Sequence, residues 1–157
     1  MAKCLFMSEI PSKLFDEVFG IAFRNYPLEQ TSFKKFLAET INGDTFKSHV
    51  AFGATNPNKE DVTILYVLTN IRLIKVVIKG QEVRSYAAFL NQIKGGVNRK
   101  ITKESAESPD VISLSVNFEG GNFGLTYTAA AESDNITRFF QNVDAAIRVV
   151  QQPRNQK

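Results

Sequence analysis

The feature that most constrains this chain is a change of rhythm in its apolar residues. From position 46 to 130 they alternate with polar ones or run in short blocks rich in β-branched and aromatic side chains; after 133 they fall at steps of three and four. Alternation places successive side chains on opposite faces of a strand, while the three-and-four spacing draws one stripe along a helix. A terminal amphipathic helix needs a sheet to cover, and a run of antiparallel strands needs something over its open side. The expected fold is therefore α+β, a bent antiparallel sheet or barrel of about seven strands capped by a C-terminal helix.

The strands can be placed one by one. Phe46, Ser48, Val50 and Phe52 alternate with Lys47, His49 and Ala51, and Asn56-Pro57-Asn58 marks a turn. Val62 to Thr69 is nearly all apolar and too short for a typical helix, which predicts a strand buried on both sides. Residues 71 to 79 put Leu73 and Val77 on one face and Arg72, Ile74, Val76 and Ile78 on the other. Shorter strands are expected over 82–86 and 97–103, with a helical turn at 87–91 between them. The alternating 111–118, the turn Glu119-Gly120-Gly121-Asn122 and the return 123–130 complete the set. In the last helix Ile136, Phe139, Phe140, Val143, Ala146, Ile147 and Val150 form the stripe, Ser133 or Asp134 caps it, and Arg138, Gln141, Asp144 and Arg148 fall outside it.

Ahead of the strands, two additional helices are expected. Leu14, Phe15, Val18, Phe19, Ala22 and Phe23 share one face over 12–24, and Phe33, Phe36, Leu37 and Ile41 another, stopped by Asn42-Gly43. At 157 residues one domain is the expectation, with a helical pair in 1–45, the β domain in 46–150 and a tail in 151–157. No apolar run reaches the roughly 18 residues a spanning helix needs, and no signal-peptide stretch follows Lys3. The single cysteine, Cys4, fits a reducing, cytoplasmic setting.

The run Leu68-Thr69-Asn70-Ile71-Arg72-Leu73-Ile74, with Ser85-Tyr86 ahead of Ile93, resembles bacterial pleckstrin-homology-like (PH-like) and GRAM-type domains across about residues 46–150. That resemblance implies a PH-like sheet with its C-terminal helix and a binding role, in some relatives toward phosphoinositides through basic residues in the loop joining the first two strands. Here that loop, Asn56 to Asp61, carries one cation and two anions, and the chain has no tryptophan. The lipid pattern is not matched.

Chemistry by the usual constellations has little to work with. His49 is the sole histidine, so a Cys-His dyad would have to join it to Cys4, and zinc would lack ligands of the right kind. No catalytic residue, metal or cofactor is expected. Gly120, Gly121 and Gly124 precede a strand instead of a helix and read as a hairpin. Gly95-Gly96, near Lys94, Arg99 and Lys100, reads either as a bulge or as exposed amides that hold a phosphate or carboxylate.

Charge is uneven: residues 46–104 hold ten Lys/Arg and four Asp/Glu, net +6, between an N-terminal part of −1 and a C-terminal part of −2. The candidate binding residues are Lys75, Lys79, Arg84, Lys94, Arg99, Lys100 and Lys103. The functional expectation is a non-enzymatic binding module for another protein, with anionic membrane lipid and nucleic acid as alternatives. Aromatic side chains for base stacking are sparse among these cations.

Overall fold

A computed structural model describes residues 13, 14, 16, 18, 30–55, 61–79, 82–128 and 133–151. The chain divides into two compact units, Met1–Ala87 and Ala88–Lys157.

In the first unit a helix α1 (Gln30–Ile41) precedes four strands, β1 (Phe46–Thr55), β2 (Asp61–Thr69), β3 (Arg72–Lys79) and β4 (Glu82–Phe89, its last two residues falling in the second unit), whose order in the sheet is β1-β2-β3-β4. Phe33, Leu37, Ala38 and Ile41 recur at helical spacing on α1 and pack with Leu65, Val67, Ile74, Val76 and Ile78 of the sheet, together with Leu14 and Val18. Each fully buried Leu, Ile or Phe in such a cluster contributes about 1.5–3 kcal/mol by leaving water. On the opposite face of β2, Tyr66 and Leu68 are buried as well, so this central strand is apolar on both sides, as its unbroken run predicts.

One detail of β1 departs from plain alternation. The register shifts between Phe46, opposite Thr69, and Ser48, opposite Leu68. The bulge turns Phe46 onto the α1 side, where it packs against the core cluster, while Val50 and Phe52 face the other way opposite Tyr66 and Ile64.

The second unit holds a single 3-10 turn (Leu90–Gln92), β5 (Ile93–Thr102), β6 (Val111–Phe118), β7 (Gly121–Thr128) and helix α2 (Ser133–Gln151), with the strands in the order β5-β6-β7. Leu114, Val116 and Phe123 on the sheet and Ile136, Phe139, Phe140, Val143 and Ile147 on α2 are buried. Side chains tie the helix to the sheet: Tyr127 Oη and Thr137 Oγ1 lie 2.9 Å apart, and Gln151 Nε2 donates to the carbonyls of Leu90 and Ile93 at 2.9 and 2.6 Å. Asp134 in the first turn and Arg148 in the last complement the helix dipole.

Two expectations need correcting. The strands form separate four- and three-stranded sheets instead of one closed sheet or barrel, because the ladder is not continued from β4 to β5. Of the two N-terminal helices, α1 is present; the other falls mainly outside the described residues, and the pair is not supported. Boundaries also move: β4 runs on to Phe89, β5 begins at Ile93 and β7 ends at Thr128.

Tyr66 supplies a pH prediction. Burial holds its phenol pKa well above the ordinary value. The folded state then keeps a proton that the unfolded state gives up near pH 10, so this contribution to stability is full below that pH and declines above it. In an alkaline absorbance titration, one of the four tyrosines should ionise only as the fold melts. Tyr66→Phe should remove that step.

Candidate functional site

The resemblance-bearing run around the β2–β3 turn turns out to be a clamp. The Arg72 guanidinium reaches back across the chain, donating from Nε to Asp44 Oδ2 at 2.7 Å and from Nη2 to the carbonyls of Thr40 and Ile41 at 2.8 and 3.0 Å. Those carbonyls belong to the last turn of α1, where the helix leaves acceptors unpaired. Thr69 Oγ1 bonds Asp44 Oδ2 at 2.9 Å and accepts from the Arg72 amide at 2.9 Å. Asn70 closes the turn, accepting from Thr45 N at 2.8 Å while its own amide donates to the Thr45 carbonyl at 2.9 Å. Asn42 and Gly43, at φ 32° and 90°, bend the chain so that Asp44 arrives at this point. Thr69, Asn70 and Arg72 are thus occupied in joining helix to hairpin.

The seven candidate cations separate into two groups. In the first unit, Ile74, Val76 and Ile78 of β3 and Val83 of β4 point into the α1 core. Alternation therefore sends Lys75, Val77 and Lys79, with Arg84, to the opposite face. Lys75 is half-buried, its Nζ 6.0 Å from the centre of the Tyr66 ring. Phe52 stacks on the other side of that row, 6.4 Å from Tyr66 between ring centres. Lys79 and Arg84 are exposed, and Tyr86 is 46% exposed. Hydrogen bonds to Glu82 first and Tyr86 second raise the Arg84 pKa further. Glu82 is the ion-pair partner of Arg84.

In the second unit the cations are dispersed. Lys94 and Lys100 stand opposite Asn117 and Ser113, on the face away from buried Leu114 and Val116. Lys103 Nζ is held by the Ser108 carbonyl at 2.7 Å and Asp110 Oδ1 at 3.2 Å. Arg99 Nη1 donates to the Val97 carbonyl at 3.3 Å and lies 3.7 Å from Asp144 Oδ2.

Gly95 and Gly96 form the expected bulge: the register slips between Lys94 and Val97, and both glycines have φ near +80°, at 79° and 80°. At this bulge stands Asp144 of α2, whose Oδ1 accepts from Val97 N, the amide after the glycine pair, at 3.2 Å. A Cβ on Gly96 would lie 2.7 Å from that oxygen. Asp144, expected on the solvent side of the helix, is instead turned onto the strand, because a carboxylate beside the apolar stripe reaches the donor that the bulge exposes. The signal was in the sequence as an acid next to Phe140 and Val143 together with a glycine pair inside a strand.

His49 is half-buried in β1 opposite Val67, 6.1 Å from the Phe46 ring. Cys4 and the loop 56–60 lie outside the described residues. Among the described residues no group of three or more His, Cys, Asp or Glu is placed to hold a metal ion, and no helix is long and apolar enough to cross a membrane.

No protein-family model matches the sequence, and no curated protein matches it. Among solved structures, the chain is similar to the hSac2 domain of the human phosphoinositide phosphatase Sac2, with a TM-score of 0.52 at 12% identity over 78% of this chain and 84% of that one. The likeness is one of fold. A DUF1696 family protein with a pleckstrin-homology domain from Shewanella loihica PV-4 aligns over 70% of this chain and 92% of its own, at 13% identity and a TM-score of 0.37.

Proposed function

We propose that this chain is a non-enzymatic, PH-like binding module that holds an acidic segment of another protein against the sheet face carrying Lys75, Lys79 and Arg84. The observation that carries this reading is the placing of three cations and the exposed Tyr86 on one face of the sheet. Cations on a rigid sheet, with an aromatic ring for packing, select a flexible anionic partner by charge and give it a surface to lie on. The other basic residues support it less, since they are dispersed over the second unit. A cytoplasmic location belongs to the same proposal and rests on the lone cysteine.

A lipid headgroup would meet the same three cations, so anionic membrane binding is the second reading. The two separate in paired measurements on the full chain. A fluorescent decapeptide alternating glutamate with valine should bind saturably, and binding should weaken as salt shortens the range of attraction from the roughly 8 Å of physiological ionic strength. Lys79→Glu with Arg84→Glu should weaken it by about tenfold or more. Sedimentation with phosphatidylcholine vesicles containing phosphatidylserine or a phosphoinositide should leave the protein in the supernatant. Pelleting with the anionic vesicles, without peptide binding, would replace the protein reading by the lipid one.

A further inference from the structure

Asn42 and Gly43 stop α1 and deliver Asp44 to the clamp, and they are also the one Asn-Gly pair in the sequence. The carboxamide carbon of an asparagine is an electrophile a single ring closure away from the next backbone nitrogen. Glycine in the next position gives that nitrogen the least steric cover, having no side chain. In this turn both residues are exposed, and a Cβ built on Gly43 would meet nothing within 4 Å. The amides on either side are tied down, Asn42 N to the Ala38 carbonyl at 2.9 Å and Asp44 N to the Ile41 carbonyl at 3.1 Å. Between them, the Gly43 amide and the Asn42 carboxamide have no hydrogen-bond partner among the described residues. An amide outside the hydrogen-bond network gives up its proton to solvent base without any local opening. By contrast Asn98, Asn117 and Asn122 lie within strands and are followed by Arg99, Phe118 and Phe123.

We propose that Asn42 is a site of spontaneous covalent modification, converted through a succinimide to isoaspartate and aspartate, and that the isoaspartyl product loosens the clamp. In the first step Gly43 N attacks Asn42 Cγ. The new N–Cγ bond forms as the bond from Cγ to the side-chain nitrogen breaks, and the proton lost from the Gly43 amide is balanced by the one that the leaving group takes up to depart as ammonia. In the second step water adds to one of the two ring carbonyls. Opening at Cγ gives aspartate; opening at the main-chain carbonyl gives isoaspartate. Water is the only co-reactant.

In the isoaspartyl product the main chain runs through Cβ and Cγ of residue 42, which lengthens it just ahead of Asp44. The displaced carboxyl becomes a free carboxylate at the C-terminal end of α1, where the helix dipole disfavours negative charge. It also competes with Asp44 for Arg72. Asp44, which the native turn sets at 2.7 Å from Arg72 Nε and 2.9 Å from Thr69 Oγ1, is thereby displaced from both. This site is independent of the cationic face proposed above.

The test incubates the full-length protein, its Asn42→Gly variant and the free peptide 36–47 side by side in mildly alkaline buffer. Glycine holds the positive φ of position 42 without strain and has no carboxamide, so this variant keeps the turn and cannot cyclise. Isoaspartate is read by methyl transfer from labelled S-adenosylmethionine with an isoaspartyl methyltransferase, and is located by tryptic mapping. The folded protein should gain label in the segment 36–47 at a rate within about tenfold of the free peptide, because a turn that had to open first would be slowed by its opening equilibrium. Aged wild type should melt at a lower temperature than fresh protein, while aged Asn42→Gly takes no label in this segment and keeps its melting temperature. If the free peptide converts and the folded chain does not, the proposal is overturned. Label at residue 42 with unchanged melting would overturn the link to the clamp.

Discussion

Arg72→Ala is expected to lower the unfolding free energy by about 3 kcal/mol, read from the midpoint of urea denaturation at unchanged slope. The substitution removes the partner of Asp44, whose side chain is 9% exposed, and strips two α1 carbonyls of their donor. A largely buried carboxylate left without its cation costs more than the pair itself contributes, which is why truncating one partner is the severe change. Arg72→Lys should fall between wild type and alanine: an ammonium can still face Asp44, but it lacks the planar fork that serves Asp44 and the helix end together. If Arg72→Ala costs no more than a surface substitution, the clamp does not join helix to hairpin as described.

Gly96→Ala is the second large effect, again about 3 kcal/mol, and it has two separable parts. A non-glycine residue at φ 80° costs about 1–2 kcal/mol on backbone grounds alone. The rest comes from the collision of the new Cβ with Asp144 Oδ1 at 2.7 Å. Gly95→Ala is the internal control, since Gly95 shares the backbone conformation, at φ 79°, but has nothing within 4 Å of the added carbon. It should show the backbone cost only. Combining Gly96→Ala with Asp144→Ala should be milder than the sum of the single changes, because the second substitution removes the obstacle met by the first. Strict additivity would mean that Asp144 does not occupy the bulge.

Much of the fold was legible because it rests on local periodicity. The unbroken apolar run of 62–69, the two-residue rhythm of 72–79 and 111–118 and the three-and-four spacing of α2 each bury their own apolar set, and no distant partner is needed to recognise them. The sheet split was not legible, since nothing local at Phe89 to Ile93 says that a ladder stops there. Nor was the turning of Phe46 onto the α1 side, because a bulge inserts one residue and inverts every face before it. The candidate site was half legible. Lys75 and Lys79 sit two alternations apart and share a face by pattern alone, but adding Arg84 required knowing that Val83 enters the α1 core. Asp144 was misplaced for the opposite reason: helical spacing assigns it to solvent, and only the bulge on another strand draws it in. Arg72 carried the family resemblance, yet its work is to cap a helix some thirty residues earlier, a relation no local pattern contains.

The most direct test of the cationic face is a nitrogen-15 NMR titration of the full chain with the glutamate–valine decapeptide. Shift changes should saturate and cluster at Lys75, Lys79 and the stretch from Arg84 to Ala87. Changes centred on Lys94 and Lys100, or none that saturate, would contradict the account.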